Sequence, residues 1–303
     1  MIEAAGLTRR YGDFCAVSDV SFAIEQGEIV GLLGHNGAGK TTIMKMLTGY
    51  LEPSSGSVSV DGVAVERQPL VVQKRLGYLP ENLPLYPELS VVDYLAYTAQ
   101  LRGVEPRTAV AKAIAATELE EKARDPIATL SRGFKQRVGV AQAILHTPRF
   151  LILDEPTNGL DPSQTQHMRE LIQKLAQTAT VILSTHIMQE VDAICDRAII
   201  LRDGKLVLDE RLADLQVSNR YRVRTAPGRD LAGLLARDST VAQTLDEGQG
   251  SWIVTVSGDM DAATGSLAQH VTGAGWPLFE LGVVKRDLET VFREVNEESS
   301  DAA

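Results

Sequence analysis

The feature that most constrains the fold is a short apolar segment that runs directly into a glycine-rich loop. Residues 29–33, IVGLL, form an unbroken apolar run of the kind that makes a buried parallel strand. The loop after it, GHNGAGKT over 34–41, fits the pattern G-x-x-x-x-G-K-[S/T]. Glycines in such a loop let backbone N–H groups curl around phosphate oxygens at a helix N-terminus, whose dipole favours anions. The segment therefore predicts a strand–loop–helix unit that binds the phosphates of a nucleotide.

Two side chains of this loop carry distinct chemistry. Lys40 is expected to reach the β- and γ-phosphates, and the Thr41 hydroxyl is expected to ligate Mg²⁺. A chance glycine-rich turn is the competing interpretation, and the strand–loop–helix context disfavours it. The expected nucleotide contacts are Gly34, His35, Asn36, Gly37, Ala38, Gly39, Lys40, Thr41 and Thr42.

A second apolar strand candidate, FLILDE over 150–155, ends in two acids. Asp154 stands at the C-terminal end of the predicted strand, where its carboxylate can hold Mg²⁺. Glu155 beside it can orient or deprotonate the attacking water. Two solvated acids at a strand end are common by themselves. Together with the phosphate loop they predict a P-loop nucleoside triphosphatase.

Strand and helix patterns alternate over residues 1–214, which predicts an α/β domain with a largely parallel sheet. Asp-Gly pairs between apolar runs predict hairpins over 57–65 and 198–210, the first within an antiparallel β subdomain. Helical periodicity over about 82–146 predicts a helical insertion, and Asp161-Pro162 is expected to open a further helix.

Past residue 214 the pattern changes. Residues 215–303 follow the order β-α-β-β-α-β-α, which resembles a small α+β ferredoxin-like module with an added helix. The added helix is predicted over 287–296, and the tail over 297–303 is expected to be frayed.

Composition excludes several classes of function. The 303-residue chain is 44% hydrophobic and 23% charged, as globular proteins are, and its formal net charge of -10 argues against sequence-independent nucleic-acid binding. Its two cysteines, Cys15 and Cys195, cannot make a disulfide framework or a zinc site. No signal peptide and no apolar run of the ~18 residues that a bilayer requires is present. Any membrane role is therefore expected to run through partners.

The segment LSRGFKQR over 130–137 narrows the family. It resembles the signature motif of ABC ATPases, most often Leu-Ser-Gly-Gly-Gln. Ser131 can cap the following helix, and Gly133 gives close backbone access, so that this helix end can accept a phosphate. For this motif alone, an ordinary Ser N-cap on an amphipathic helix is the alternative.

Other elements stand in the order of the same family, and the resemblance covers residues 1 to about 214. Tyr11 matches the aromatic residue that stacks on adenine, and Glu81 stands in the Q-loop. Residues 158–161 follow as the D-loop does, and His186 matches the switch histidine.

The resemblance implies two such domains, a homodimer or a heterodimer with a similar ATPase, enclosing two ATP molecules head to tail. Ser131 and Gly133 of one subunit would meet the phosphate loop of the other. Glu155 would act as general base and His186 would hold the γ-phosphate. Lys40, Glu81 and Mg²⁺ would complete the catalytic site, and Thr41, Asp154 and Glu81 would hold the metal. Permease subunits of the cell membrane are the implied partners, with this chain at the cytoplasmic face and no nucleic acid expected.

Two departures from the family pattern stand out. Glu81 replaces the usual Gln, and Ser-Arg-Gly-Phe replaces Ser-Gly-Gly-Gln. Both resemble a bacterial export subfamily known for gliding-motility, multidrug and copper-enzyme-maturation systems, whose members often carry a small C-terminal domain.

Two questions stay open at this point. A soluble ABC ATPase that acts on ribosomes or nucleic acid is the main alternative to a transporter subunit. The apolar residues between Glu81 and Leu101 either receive a permease segment or form the core of the helical insertion.

Overall fold

The computed structural model describes residues 1–215, 219–236, 238–258, 260–284, 288–290 and 292. The chain divides into two compact units, Met1–Leu212 and Ala213–Ala303. The helix predicted over 287–296 lies mostly outside the described residues, and the tail over 297–303 lies entirely outside them. Within the described part of the chain, no helix is both long enough and apolar enough to span a bilayer.

The first unit combines two sheets with seven α-helices. In chain order its strands are β1 (Ile2–Tyr11), β2 (Phe14–Ile24), β3 (Ile29–Leu33), β4 (Ser55–Val60), β5 (Val63–Ala64), β6 (Leu76–Leu79), β7 (Phe150–Asp154), β8 (Thr180–Thr185), β9 (Arg197–Arg202) and β10 (Lys205–Arg211). Its α-helices are α1 (Lys40–Leu47), α2 (Pro69–Gln73), α3 (Val91–Leu101), α4 (Pro106–Ala116), α5 (Arg132–Ile144), α6 (Pro162–Ala176) and α7 (Met188–Ile194).

The larger sheet has the strand order β10-β9-β3-β8-β7-β6 and is parallel except for β10. Every residue of β7 and β8 is buried, which explains the apolar runs FLIL and VIL within these strands. The predicted α/β class is thus confirmed. Because parallel strands end at the same edge, the residues that follow β3, β7 and β8 meet there.

The smaller sheet, in the order β2-β1-β4-β5, is antiparallel. The hairpins predicted at Asp61-Gly62 and Asp203-Gly204 are both present, with positive φ angles at all four residues as such turns require. Asp161 caps α6 through its Oδ1, which accepts the N–H of Gln164 at 2.8 Å, as its sequence predicts.

Helices α3, α4 and α5 form the predicted helical insertion around a core of their own. Val91, Tyr94 and Leu95 are buried in this core. The insertion's own packing therefore accounts for most of the apolar residues between Glu81 and Leu101. Leu101 itself is 69% exposed.

The second unit begins at the boundary helix α8 (Leu212–Leu215) and contains a four-stranded antiparallel sheet in the order β12-β13-β11-β14. Its strands β11 (Arg220–Arg224), β12 (Val241–Gly248), β13 (Ser251–Val256) and β14 (Glu280–Val283) alternate with helices α9 (Leu231–Leu235) and α10 (Met260–Gly273). This β-α-β-β-α-β order and strand arrangement are those of a ferredoxin-like module, as predicted. Tyr221, Val254 and Leu267 lie in its core.

Candidate active site

The phosphate loop connects the end of β3 to the first residue of α1, Lys40. Gly39 has φ of +103°, a left-handed conformation that L side chains rarely adopt. A Cβ atom there would also lie 2.8 Å from the backbone oxygen of Ala16. Glycine at this position therefore follows from both the backbone turn and the close approach of β2.

Lys40 points back into its own loop. Its Nζ donates to the backbone oxygen of Gly34 at 2.8 Å and lies 3.4 Å from Oε1 of Glu155. The lysine is 6% exposed, so its charge is held by these partners and not by bulk water. The Lys40 ammonium group thus lies between the phosphate loop and Glu155, the acid that follows β7.

Glu155 is held from several sides. Its φ is +50°, an uncommon conformation for a residue with a side chain. Its N–H donates to Ser184 Oγ at 3.0 Å, and its backbone oxygen accepts from Gln136 Nε2 at 3.4 Å. Its Oε2 lies 3.0 Å from His186 Nδ1. The carboxylate therefore bridges Lys40 and His186.

Asp154 has the environment of a cation ligand. It is fully buried, and its Oδ1 accepts from the hydroxyls of Ser184 at 2.5 Å and Thr41 at 3.3 Å. Its Oδ2 is buried and, among the described residues, has no hydrogen-bond partner. A buried carboxylate oxygen without a donor fits a hard cation such as Mg²⁺, which prefers oxygen ligands. Thr41 and Asp154 thus bring a hydroxyl and a carboxylate oxygen next to one another, a donor set that fits such a cation.

A cavity of about 540 Å³ gathers most of the predicted site residues. Those lining it are Tyr11, His35, Asn36, Gly37, Gly39, Lys40, Thr41, Thr42, Glu81, Glu155 and His186. Gly34 contributes its carbonyl to Lys40, Ala38 is buried in the core, and Asp154 lies beneath Thr41. These three do not line the cavity.

Three lining residues were absent from the sequence-based set: Phe14, Ala16 and Asn158. Phe14 pairs with Tyr11 across the β1–β2 turn, and the two rings are 64% and 48% exposed. Two aromatic residues on either side of a two-residue turn were a signal that could have identified Phe14. The guanidinium of Arg9 lies 4.7 Å from the Tyr11 ring centroid, which holds that ring from one side.

The signature residues lie elsewhere. Ser131 caps α5, accepting the N–H of Phe134 at 3.4 Å, and lines a second cavity of about 520 Å³ together with Gly133, Asp161 and Gln164. This cavity shares no lining residue with the one around Lys40.

Glu81 and Arg132, one residue from each departure from the family pattern, line a third cavity of about 410 Å³. A Cβ atom on Gly159 would lie 2.5 Å from the Arg132 Cζ, so this guanidinium covers the D-loop glycine of its own chain.

Strand β8 separates β3 from β7, so the phosphate loop and the acidic pair lie two strands apart at one edge of a parallel sheet. This is the arrangement of the P-loop nucleoside triphosphatases. Within that class, the family model described as ABC transporter matches residues 17–158.

Relatives agree with this match. The linearmycin resistance ATP-binding protein LnrL of Bacillus subtilis is 34% identical over 219 residues, covering 71% of this chain and 70% of the relative. YhcH of Bacillus subtilis, described as an uncharacterized ABC transporter ATP-binding protein, is 30% identical over 305 residues, covering 99% of this chain and 97% of the relative.

A solved ATP-binding cassette, described as a dimer in a post-hydrolysis state bound to ADP and Pi, superimposes with a TM-score of 0.64 at 25% identity. The match covers 70% of this chain and 99% of that one. This chain therefore belongs to the ABC transporter family of ATP-binding proteins.

Proposed function

We propose that this chain is the ATP-hydrolysing subunit of an ABC transporter and works as a head-to-tail pair, with a second copy or a similar ATPase. The pair drives export through a separate permease, from the cytoplasmic face of the cell membrane. Residues 1–214 form the ATPase domain, with its helical insertion over about 82–146, and residues 215–303 form an accessory domain.

The observation that carries this proposal is the separation of the two cavities. Lys40 and Glu155 line one, and Ser131 and Gly133 line another with no residue in common. The N-terminus of α5, capped by Ser131, is suited to bind a phosphate. A phosphate bound at Lys40 of the same chain would lie in the other cavity, out of its reach. A second subunit, turned head to tail, brings the two halves together. The similarity to a dimeric ATP-binding cassette supports the same arrangement.

The chemistry follows from the charges around the cavity. ATP is the substrate, and its γ-phosphate competes with Glu155 for the Lys40 ammonium. Once released from Lys40, the Glu155 carboxylate accepts a proton from the attacking water, and His186, 3.0 Å away, keeps it oriented. When bound, Mg²⁺ neutralises charge on the phosphate oxygens.

Three side chains would hold that metal. Thr41 and Asp154 are already in hydrogen-bond contact, and the Oδ2 atom of Asp154 is free of donors among the described residues. Glu81 lines the same cavity as Thr41 and would supply the third oxygen ligand.

A groove of about 700 Å³ is the proposed site for the permease. Tyr50, Leu70 and Leu101 line it and are 67%, 74% and 69% exposed. Lys74 and Arg102 are its charged lining residues, and no carboxylate is among its described lining residues. Because the whole chain carries a net charge of -10, this local positive character is distinctive. The groove suits a short amphipathic permease segment that presents an apolar face and an acidic residue.

Export is proposed from the subfamily resemblance and from the resistance function in the name of LnrL. The test is an affinity purification of the Glu155→Gln variant from detergent-solubilised native membranes with ATP and Mg²⁺, with partners identified by mass spectrometry. A multi-spanning permease is expected. Ribosomes or nucleic-acid proteins without a membrane protein would instead support the soluble alternative and exclude the transport role.

A matched control uses the groove. Leu70→Asp and Leu101→Asp, added together to Glu155→Gln, are expected to lose the permease while ATP binding stays within about twofold. Retention of the permease by this variant would place the docking surface elsewhere.

A further inference from the structure

Ser184, the fifth residue of β8, lies between the two acids of the site and has a fully buried side chain. Its register explains the position, because β7 and β8 pair in parallel with Asp154 opposite Ser184. The hydroxyl donates to Asp154 Oδ1 at 2.5 Å and accepts the N–H of Glu155 at 3.0 Å.

The direction of these hydrogen bonds is fixed by the groups involved. A serine hydroxyl has one hydrogen and two lone pairs, an ionised carboxylate only accepts, and a backbone N–H only donates. The hydrogen of Ser184 must therefore point to Asp154, which makes that contact a charge-assisted one. A lone pair of the Ser184 hydroxyl then accepts the backbone N–H of Glu155.

The consequence for Asp154 is an asymmetric carboxylate. Ser184 and Thr41 both donate to Oδ1, whereas Oδ2 has no donor among the described residues. Rotation of the carboxylate out of this position would break the contact with Ser184, so the hydroxyl keeps Oδ1 and the donor-free Oδ2 in distinct environments. Glu155 depends less on the hydroxyl, because its N–H also reaches the backbone oxygen of Ser184 at 3.2 Å.

We propose that Ser184 is a positioning residue that fixes the Asp154 carboxylate so that Oδ2 faces the metal of the ATP complex. The proposal rests on the ATP-binding role proposed above. Ser184 acts through Asp154 and need not contact ATP or the metal itself. Outer partners of this kind typically change metal affinity by about 10-fold to 100-fold when removed.

The test measures Mn²⁺ affinity, as a spectroscopic substitute for Mg²⁺, by electron paramagnetic resonance of the ATP complex in the Glu155→Gln background. Ser184→Ala is expected to raise the Kd for Mn²⁺ about tenfold. Ser184→Thr keeps the hydroxyl and is expected to stay within about threefold.

The control is Thr180→Val on the same strand. Thr180 is also fully buried, and its hydroxyl accepts the N–H of Gly27 at 2.8 Å, at the strand end away from the site. Loss of this hydroxyl is expected to lower thermal stability about as much as Ser184→Ala, with less than about a twofold change in the Kd for Mn²⁺.

An equal Mn²⁺ Kd for Ser184→Ala and Thr180→Val would overturn the positioning role and leave Ser184 with a packing role. Because the measurement does not use turnover, a protein that binds ATP without hydrolysing it still decides the question. Failure to bind ATP in the unsubstituted protein would instead refute the proposed function itself.

Discussion

The ammonium of Lys40 lies 3.4 Å from Oε1 of Glu155, and both side chains are more than nine-tenths buried. Lys40 of the phosphate loop and Glu155, the proposed general base, thus neutralise one another within one chain. In the proposed mechanism, a γ-phosphate that approaches Lys40 takes over this charge contact and leaves Glu155 to His186 and water. We expect this pairing to couple nucleotide binding to the availability of Glu155 as a base.

Removal of the lysine has two expected effects. Lys40→Ala should reduce ATP turnover at least about 100-fold, because the main positive charge for the β- and γ-phosphates is lost. It should also lower the free energy of unfolding by about 3 kcal/mol, because Glu155 keeps a buried charge without its cation. Phosphate release and urea unfolding measure the two effects.

The second effect has its own control. Adding Glu155→Gln to Lys40→Ala should recover most of the lost stability without recovering turnover, since the buried charge is then gone as well. Full activity of Lys40→Ala would contradict the assignment of the phosphate loop.

The carboxylate of Glu155 is assigned to proton transfer. Glu155→Gln has nearly the same shape but cannot accept the proton, so turnover should fall by about 10²-fold to 10⁴-fold. ATP affinity should change less than about threefold, because Lys40 is then free for the phosphates. Single-turnover phosphate release and binding of a fluorescent ATP analogue separate these quantities. Near-normal turnover would remove Glu155 from the role of base.

The two exposed rings at the cavity mouth provide a test of base stacking. Tyr11→Ala should weaken ATP binding about tenfold, since stacking of a base on an aromatic ring contributes about 1–3 kcal/mol. Tyr11→Phe keeps the ring and should bind within about twofold. Phe14→Ala is the comparison variant in the same affinity measurement. A loss confined to Phe14→Ala would assign the stacking ring to Phe14.

His146 makes folding sensitive to acid. Burial, with a smaller contribution from the Arg102 charge, lowers the pKa of His146 from 6.5 to about 4. Its Nε2 lies 2.9 Å from the backbone oxygen of Leu76, while Nδ1 has no partner among the described residues. The folded chain thus keeps the ring neutral, whereas the unfolded chain takes up a proton below pH 6.5.

The contribution of the neutral His146 ring to the free energy of unfolding should therefore be fully present above pH 6.5. It should be lost as the pH drops towards 4, which lowers the free energy of unfolding by up to about 3 kcal/mol. In His146→Gln this dependence should be absent, because glutamine can donate to Leu76 but does not titrate. Urea unfolding followed by far-UV circular dichroism is the suitable measurement. Tryptophan fluorescence would not report on the first unit, which contains His146, because Trp252 and Trp276 both lie in the second unit. An unchanged pH slope in the variant would assign the acid sensitivity to other groups.

The fold could be predicted to a large extent because local sequence determines it. The apolar run before Gly34 and the Asp161-Pro162 pair depend on near neighbours, and both elements begin where the sequence indicates. The sequence of strands and helices along the second unit follows from the same kind of local pattern.

Contacts between distant segments could not be predicted in this way. Ser184 meets Asp154 through the pairing of β7 with β8, and 30 residues separate the two along the chain. Nothing in the local sequence Ser184-Thr185-His186 marks the Ser184 hydroxyl as the one that contacts an acid of the site. The distribution of Lys40 and Ser131 between separate cavities likewise depends on how the helical insertion packs, which periodicity does not specify.

Mg–ATP is proposed to join two chains, because each chain holds the phosphate loop and the signature helix in separate cavities. Size-exclusion chromatography with light scattering of the Glu155→Gln variant measures this association, with Ser131→Arg added to the same variant as the control. Mg–ATP is expected to double the mass from 32.8 kDa, whereas the Ser131→Arg protein is expected to stay monomeric. A mass that remains 32.8 kDa while ATP is bound would contradict the composite site for a pair of identical chains.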